Sequence, residues 1–274
     1  MTTASTAPGS VADLEAFAHH LADLSGNAIL PLFRTRLEIE DKAEPGGARS
    51  FDPVTAGDRA AETVMREAIT RAHPTHGIVG EEFGTEAPDA AYKWVLDPID
   101  GTRAFILGLP VWGTLIGLTE KDRTILGLMN QPFTRERFWA AGGAAKYRGP
   151  DGCTSRLRTR ACRALADAQL SSTHPELFAP GEEAEGFARI RQATRATRYG
   201  ADCYAYCLVA AGHIDLVVEA GLKPYDVVAL IPIVEAAGGV ITTWDGGPAT
   251  GGGRIIAAGD PELHRQACAV LAGR

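Results

Sequence analysis

From Val11 onward, Leu14, Phe17, Ala18, Leu21, Leu24, Ala28 and Leu32 return at three- and four-residue steps. That spacing lines one face of a helix with apolar side chains, so a long amphipathic helix is expected, disturbed near Pro31 where the ring removes an amide donor. Leu37 to Asp41 alternates and reads as a short strand, and Glu44 to Asp52 (EPGGARSFD) reads as a polar loop of the kind that covers a site. Thr55, followed three residues on by Asp58, matches a helix-capping pair; a second helix is expected to about Arg71, ended at His73-Pro74.

The period then changes. Gly77 to Gly80, Lys93 to Leu96, Val111 to Thr119, Thr124 to Gln131 and Arg137 to Ala141 are short apolar or alternating runs bounded by turn residues, which predicts consecutive strands. After Gly142-Gly143 and the turn Pro150-Asp151-Gly152, a second half opens with strand Gln169 to Ser172. Helix Asp202 to Ala211, strand Ile214 to Glu219, helix Asp226 to Ala237, strands Gly239 to Thr243 and Arg254 to Ala258, and helix Pro261 to Leu271 follow. Such alternation favours sheets covered by helices, an α/β or α+β architecture. The division expected is a small, polar, disordered start at residues 1–10, an N-terminal α+β half at 11–150 and a C-terminal α/β half at 151–274.

Charge and composition narrow the function. With 27 basic and 34 acidic residues the net charge is −7, which argues against a nucleic-acid binder relying on phosphate neutralisation. No run is long enough to span a bilayer, and Met1 to Ser10 has no apolar core of a secretory signal, so no membrane partner and a cytoplasmic location are expected. Five cysteines without a CxxC fit a reducing compartment, and Cys203 and Cys207, four apart, read as small apolar residues on a buried helix face. The seven histidines have no metal-cluster spacing, and Trp112 and Trp139 fall in expected strands as core residues. GxSxG, GK[ST] and GxGxxG motifs are absent.

Candidate chemistry concentrates in Trp94-Val95-Leu96-Asp97-Pro98-Ile99-Asp100-Gly101-Thr102, where an apolar strand ends in two carboxylates three residues apart. Pro98 restricts the backbone and Gly101 permits a sharp turn, so Asp97 and Asp100 can converge on one point. Two converging anions are tolerable around a hard cation, and an oxygen-only donor set selects magnesium, manganese or calcium over zinc. Gly80-Glu81-Glu82 also follows an apolar strand, and Asp226 stands at an expected helix start. Alone, each of these reads as a solvated loop or a helix cap.

Together, Gly-Glu-Glu (80–82), Trp-Val-Leu-Asp-Pro-Ile-Asp-Gly-Thr (94–102), and Tyr-Asp-Val-Val (225–228) followed by Glu-Ala-Ala-Gly-Gly (235–239) resemble the three signatures of the inositol monophosphatase superfamily. Asp52-Pro-Val-Thr-Ala-Gly-Asp58 resembles its first acidic motif, and the likeness runs from about Val11 to Leu271. It implies the layered αβαβα sandwich of the inositol monophosphatase and fructose bisphosphatase type, dependence on two to three Mg2+ ions, small phosphomonoester substrates and a homodimer. Tyr199 to Tyr206 and Glu219 to Pro232 resemble the histidinol-phosphate phosphatase branch more than true inositol phosphatases, which usually carry Trp-Asp in place of Tyr225-Asp226 and a small residue in place of Asp202.

The resemblance makes Glu81, Asp97, Asp100, Asp226 and the Ile99 carbonyl metal ligands. It gives Glu81, Thr102 and Asp58 the orientation and deprotonation of an attacking water, and the Gly101 and Thr102 amides the phosphate. Asp226, Glu219 and Asp202 would face the alcohol part of the substrate. An extra carboxylate at Asp202 suits a cationic amine and imidazole better than an uncharged polyol, though capping the following helix would also explain it. Arg103 adjoins the site and could reach either the phosphate or a surface carboxylate. Histidinol phosphate is thus the expected substrate. The alternatives are inositol 1-phosphate and a non-catalytic relative acting as a binding protein; the latter would be expected to lack a metal carboxylate, and none is missing.

Overall fold

In the computed structural model, residues 10–36, 38–41 and 53–274 are described; the polar loop at 44–52 and all but Ser10 of the disordered start expected at residues 1–10 lie outside them, and Ser10 itself is ordered as a helix cap. Ser10 accepts a hydrogen bond from the Asp13 amide while Asp13 accepts one from the Ser10 amide, and this reciprocal cap starts α1 (Val11–Ile29). The helix ends two residues before Pro31 and does not reach Leu32 as the apolar spacing suggested. β1 (Glu40–Asp41) pairs with β2 (Pro53–Val54), and the Thr55–Asp58 cap opens α2 (Ala56–Ala72) as expected.

The chain then builds β3 (Gly77–Gly80), β4 (Gly84–Glu86), β5 (Tyr92–Asp100), the short α3 (Thr102–Ile106), β6 (Gly113–Glu120), β7 (Arg123–Gln131), β8 (Glu136–Ala141), β9 (Lys146–Arg148) and β10 (Thr154–Arg156). These strands make one eight-stranded sheet in the order β10-β9-β8-β7-β6-β5-β3-β4. The second part holds β11 (Gln169–Ser172), α4 (Glu182–Ala193), β12 (Ala196–Tyr199), α5 (Asp202–Ala210), β13 (Leu216–Leu222), α6 (Pro224–Val227), α7 (Leu230–Ala236), β14 (Val240–Thr243), β15 (Gly253–Ala258) and α8 (Pro261–Leu271). Its sheet has five strands, ordered β12-β11-β13-β15-β14.

Five layers result. α1 and α2 cover the outer face of the large sheet, where Leu14, Leu21, Met65 and Ile69 close on Trp94, Leu96 and Ile116. α5 and α7 fill the middle layer: Cys203, Cys207, Ile233 and Val234 lie with Leu115 and Met129 of one sheet and Val217 and Ile255 of the other. α4 and α8 cover the far face of the small sheet through Phe187, Ile190 and Leu263 on Val218 and Ile256. Leu115 and Ile116, or Val217 and Val218, serve opposite layers because successive strand side chains point to opposite faces. The burial of Cys203 and Cys207 on α5 matches the reading of that pair.

Several elements escape the hydrophobic pattern. α4 opens with Glu182, Glu183 and Glu185 and buries only Gly186, Phe187 and Ile190, too thin a stripe to signal a helix. β4, β9, β10 and β12 are three or four residues long with no buried position, so no alternation marks them. Trp112 is fully buried as expected but precedes β6, packed in a corner cluster with Phe33, Phe105 and Ile99.

Candidate active site

The sequence suggested that the strand before Asp97 stops at Leu96, but β5 continues to Asp100. Pairing with β6 is regular to Asp97 opposite Leu115 and resumes at Asp100 opposite Gly113, so three steps on one strand face two on the other. In a regular strand, residues three apart point to opposite faces. The extra residue of this bulge cancels one step and turns both carboxylates the same way. It falls at Pro98-Ile99, where proline has no amide to lose from the ladder. The displaced Pro98 carbonyl accepts from the buried Thr114 hydroxyl at 2.8 Å, which in turn meets Ser25 of α1 at 2.8 Å.

Asp226 joins them from the other half. The helix expected from Asp226 to Ala237 is split into α6 and α7, and Asp226 is the third residue of α6, where it accepts from the Lys223 amide at 2.6 Å. One carboxylate oxygen each from Asp97, Asp100 and Asp226 lies within 4.8 Å of the others. Asp97 is buried and Asp100 half-buried, and the two repel each other; both carboxyls are pushed well above the usual range, by loss of solvation first, with Glu81 the next cause for Asp97 and Asp202 for Asp100. Asp100 is compensated by Cys203 at the start of α5, whose amide donates to it at 2.7 Å and whose thiol also helps to hold the carboxyl down.

Asp58 is 1% exposed. Its Oδ2 accepts from the Thr55 amide at 2.8 Å and hydroxyl at 2.6 Å. Its Oδ1, like Oδ1 of Asp97, is buried without a hydrogen-bond partner. Burial, outweighing the Thr55 bonds and aided by Glu82 and Glu81, pushes the Asp58 carboxyl up to about 7. Glu81 follows β3 directly, its amide bonded to the Leu96 carbonyl at 3.3 Å, and it stands near enough to raise both Asp97 and Asp58. It is outside the tight group of three. Two orphaned carboxylate oxygens and an all-oxygen donor set fit a hard divalent cation, whose charge would remove the repulsion.

Gly101 follows at φ +84°, and a Cβ there would press on the Asp202 side chain at 3.0 Å and the Trp112 backbone at 3.3 Å. Glycine is therefore required twice, by conformation and by space. The Thr102 hydroxyl donates to the Ile99 carbonyl at 3.0 Å. Asp202 does not cap α5: the cap position is Ala201, without a side-chain bond, and Asp202 is the first helical residue at φ +43°. Its carboxyl is pushed up to about 7 by burial and by Glu219, and drawn down by Arg103. Arg103 is thus close enough to act on a carboxylate of the site. Glu219 is 3% exposed and well occupied, accepting from the Thr173 amide at 2.9 Å and hydroxyl at 2.5 Å and from the Tyr206 hydroxyl at 2.8 Å.

Sequence reasoning passed over Glu62 and Arg66, buried charges on α2 beside the site. Asp58, Glu62 and Arg66 recur every four residues, a polar stripe next to the apolar Ala61, Met65 and Ile69. That spacing was the available signal.

Residues 10–273 match the model of the inositol monophosphatase family. The chain is 42% identical to the bifunctional phosphatase IMPL2, chloroplastic, of Arabidopsis thaliana, over 95% of this chain and 77% of that protein. It is 35% identical to a histidinol-phosphatase of Mycobacterium tuberculosis, over 75% and 79% of the two chains. Among solved structures, an inositol monophosphatase from Zymomonas mobilis superposes with a TM-score of 0.84 at 42% identity, covering 96% of this chain and 99% of that one.

Proposed function

The chain belongs to the inositol monophosphatase family, and from that premise we propose that it is a Mg2+-dependent phosphomonoesterase whose substrate is histidinol phosphate. The observation that carries the choice of alcohol is Asp202: a carboxylate outside the group of three, against Gly101 and acting on Asp100. A cationic amino alcohol would neutralise it on binding, while an uncharged polyol would bring it no compensating charge. The similarity to histidinol-phosphatases supports the same reading. The similarity to the Zymomonas mobilis structure supports inositol 1-phosphate as the second candidate.

Asp97, Asp100, Asp226, Glu81 and the Ile99 carbonyl are the groups that would hold two to three ions. When bound, Mg2+ supplies neutralisation of phosphate charge and a lowered pKa for water. In this reading the Gly101 and Thr102 amides hold phosphate oxygens. Thr102 commits its proton to the Ile99 carbonyl, so its oxygen is left to accept a hydrogen bond from the attacking water, while Glu81 takes the one proton the water loses. Asp58 fixes the start of α2 beside Glu81. Water adds to phosphorus as the ester P–O bond breaks, one of its protons staying on the phosphate, and the departing alkoxide, beside Asp226, takes its proton from solvent water, to which Glu81 returns the one it received. Glu219 acts through Tyr206 and Thr173 as the wall behind the alcohol, and Arg103 sets the charge of Asp202.

Phosphate release from histidinol phosphate, inositol 1-phosphate and fructose 1,6-bisphosphate, with and without Mg2+, tests the proposal. Release should be fastest from histidinol phosphate and vanish under chelation. Asp202→Ala should lower kcat/KM for histidinol phosphate by about tenfold or more while sparing inositol phosphate; equal losses on both refute the assignment of Asp202.

A further inference from the structure

Glu62 and Arg66 lie one and two turns beyond Asp58 on the same buried face of α2. Glu62 is fully buried and Arg66 is 7% exposed. Arg66 Nε donates to Glu62 Oε1 at 2.7 Å. The same carboxylate takes the next two amides after Glu81: Glu82 N–H at 2.7 Å on Oε2 and Phe83 N–H at 3.1 Å on Oε1. Arg66 continues the grip, donating to Glu86 at 2.8 Å and to the Gly84 carbonyl. The turn between β3 and β4, which carries Glu81, is thereby tied to the helix that carries Asp58. Gly80 records the closeness of the fit, since a Cβ there would fall inside the Glu62 carboxylate.

Stability alone is a poor reason for this pair, because replacing a buried ion pair by apolar groups is often neutral or favourable. Geometry is a better one. A carboxylate can accept from two successive amides and a guanidinium at once, which an apolar or amide side chain cannot. We propose that Glu62 is a positioning residue for the reaction: by gripping the Glu82 and Phe83 amides it sets where Glu81 stands relative to Asp58 and Asp97. The proposal rests on the reading of Glu81 as a metal-facing carboxylate.

The test compares wild type with Glu62→Gln, which offers one acceptor oxygen and turns an NH2 toward a donor. Ile69→Ala, a core truncation on the same helix, controls for lost stability. Mg2+ is titrated in two ways, by the rise in melting temperature without substrate and by phosphate release, and amide exchange is followed at residues 82 and 83. In Glu62→Gln the half-saturating Mg2+ should rise about tenfold in both titrations, with substrate KM little changed and faster exchange at 82 and 83. Ile69→Ala should melt lower with its Mg2+ midpoint unmoved. A Mg2+ midpoint in Glu62→Gln equal to wild type, or equal shifts in both variants, overturns the proposal. If Glu62→Gln does not fold, Arg66→Lys, which keeps the charge but loses the fork, should shift the midpoint the same way by less, and no shift overturns it. A wild type that binds Mg2+ but cleaves none of the esters refutes the phosphatase reading instead, and the melting titration still judges Glu62.

Discussion

Replacing Asp58 by asparagine should make the metal-free protein more stable and the enzyme worse. The carboxyl is 1% exposed and displaced from its ordinary 3.8 up to about 7. The folded state therefore binds a proton that the unfolded chain releases, and stability falls as pH rises from about 4 to about 7. At about 1.4 kcal/mol per pH unit the full penalty is roughly 4 kcal/mol above pH 7, and only about 1.5 kcal/mol at pH 5. Asparagine keeps the cap, since its carbonyl oxygen can take both Thr55 donors that now bind Oδ2, and it places a neutral NH2 where Oδ1 is orphaned. Urea unfolding in the presence of a chelator, at pH 5 and pH 8, reads the difference. The Asp58→Asn protein should gain on wild type at both values, with a gap wider by about 2.5 kcal/mol at pH 8. Parallel pH dependence in the two proteins, or a less stable variant at pH 8, would show that Asp58 carries no ionisation penalty. With Mg2+ and substrate, the same variant should lose activity, because the charge that costs the empty fold serves the loaded site.

Two further outcomes follow from the geometry. Thr102→Val removes both the donor to Ile99 and the acceptor for the water proton; kcat should fall about a hundredfold with KM nearly unchanged, and a drop in KM alone would contradict the role given to the hydroxyl. Asp215 is 1% exposed and accepts two bonds from Arg160 at 2.7 Å and one from the Gln169 amide at 2.8 Å. Those bonds outweigh the effect of burial and hold its carboxyl below the usual range, so its stabilisation is present above the unfolded pKa and lost as pH falls through the lower folded value. Asp215→Asn should cost about 2 kcal/mol at pH 7 in urea unfolding, with the gap closing in acid.

The long helices and most interior strands were legible because each presents one face to a layer, and a one-faced element writes its period into the chain. α8 and β11 match the sequence reading residue for residue. Where an element covers little, as α4 does, or pairs at an edge with both faces wet, as β10 does, no apolar period exists to be read. The helix near Asp226 misled for a different reason: Val227 to Val234 is apolar throughout, so the break between α6 and α7 leaves no gap in the pattern.

The candidate site divides in the same way. Local sequence determined which carboxylates exist, the Pro98 and Gly101 that let the backbone bend beside them, and the Thr55–Asp58 cap, because these depend on neighbours within a few positions. The meeting of Asp97 and Asp100 required β6 to pair on both sides of the bulge, and Asp226 arrives from more than a hundred residues away. Asp202 keeps the helix cap as an alternative reading until the structure shows Ala201 in that place. Glu62 and Arg66 look like an ordinary exposed helix pair until β3 and its turn bury them. Charge type is a property of the residue, whereas burial, repulsion and the resulting proton affinity belong to whatever surface the rest of the chain folds against it. That is why the donor atoms could be read from the sequence and their energetics only from the tertiary structure.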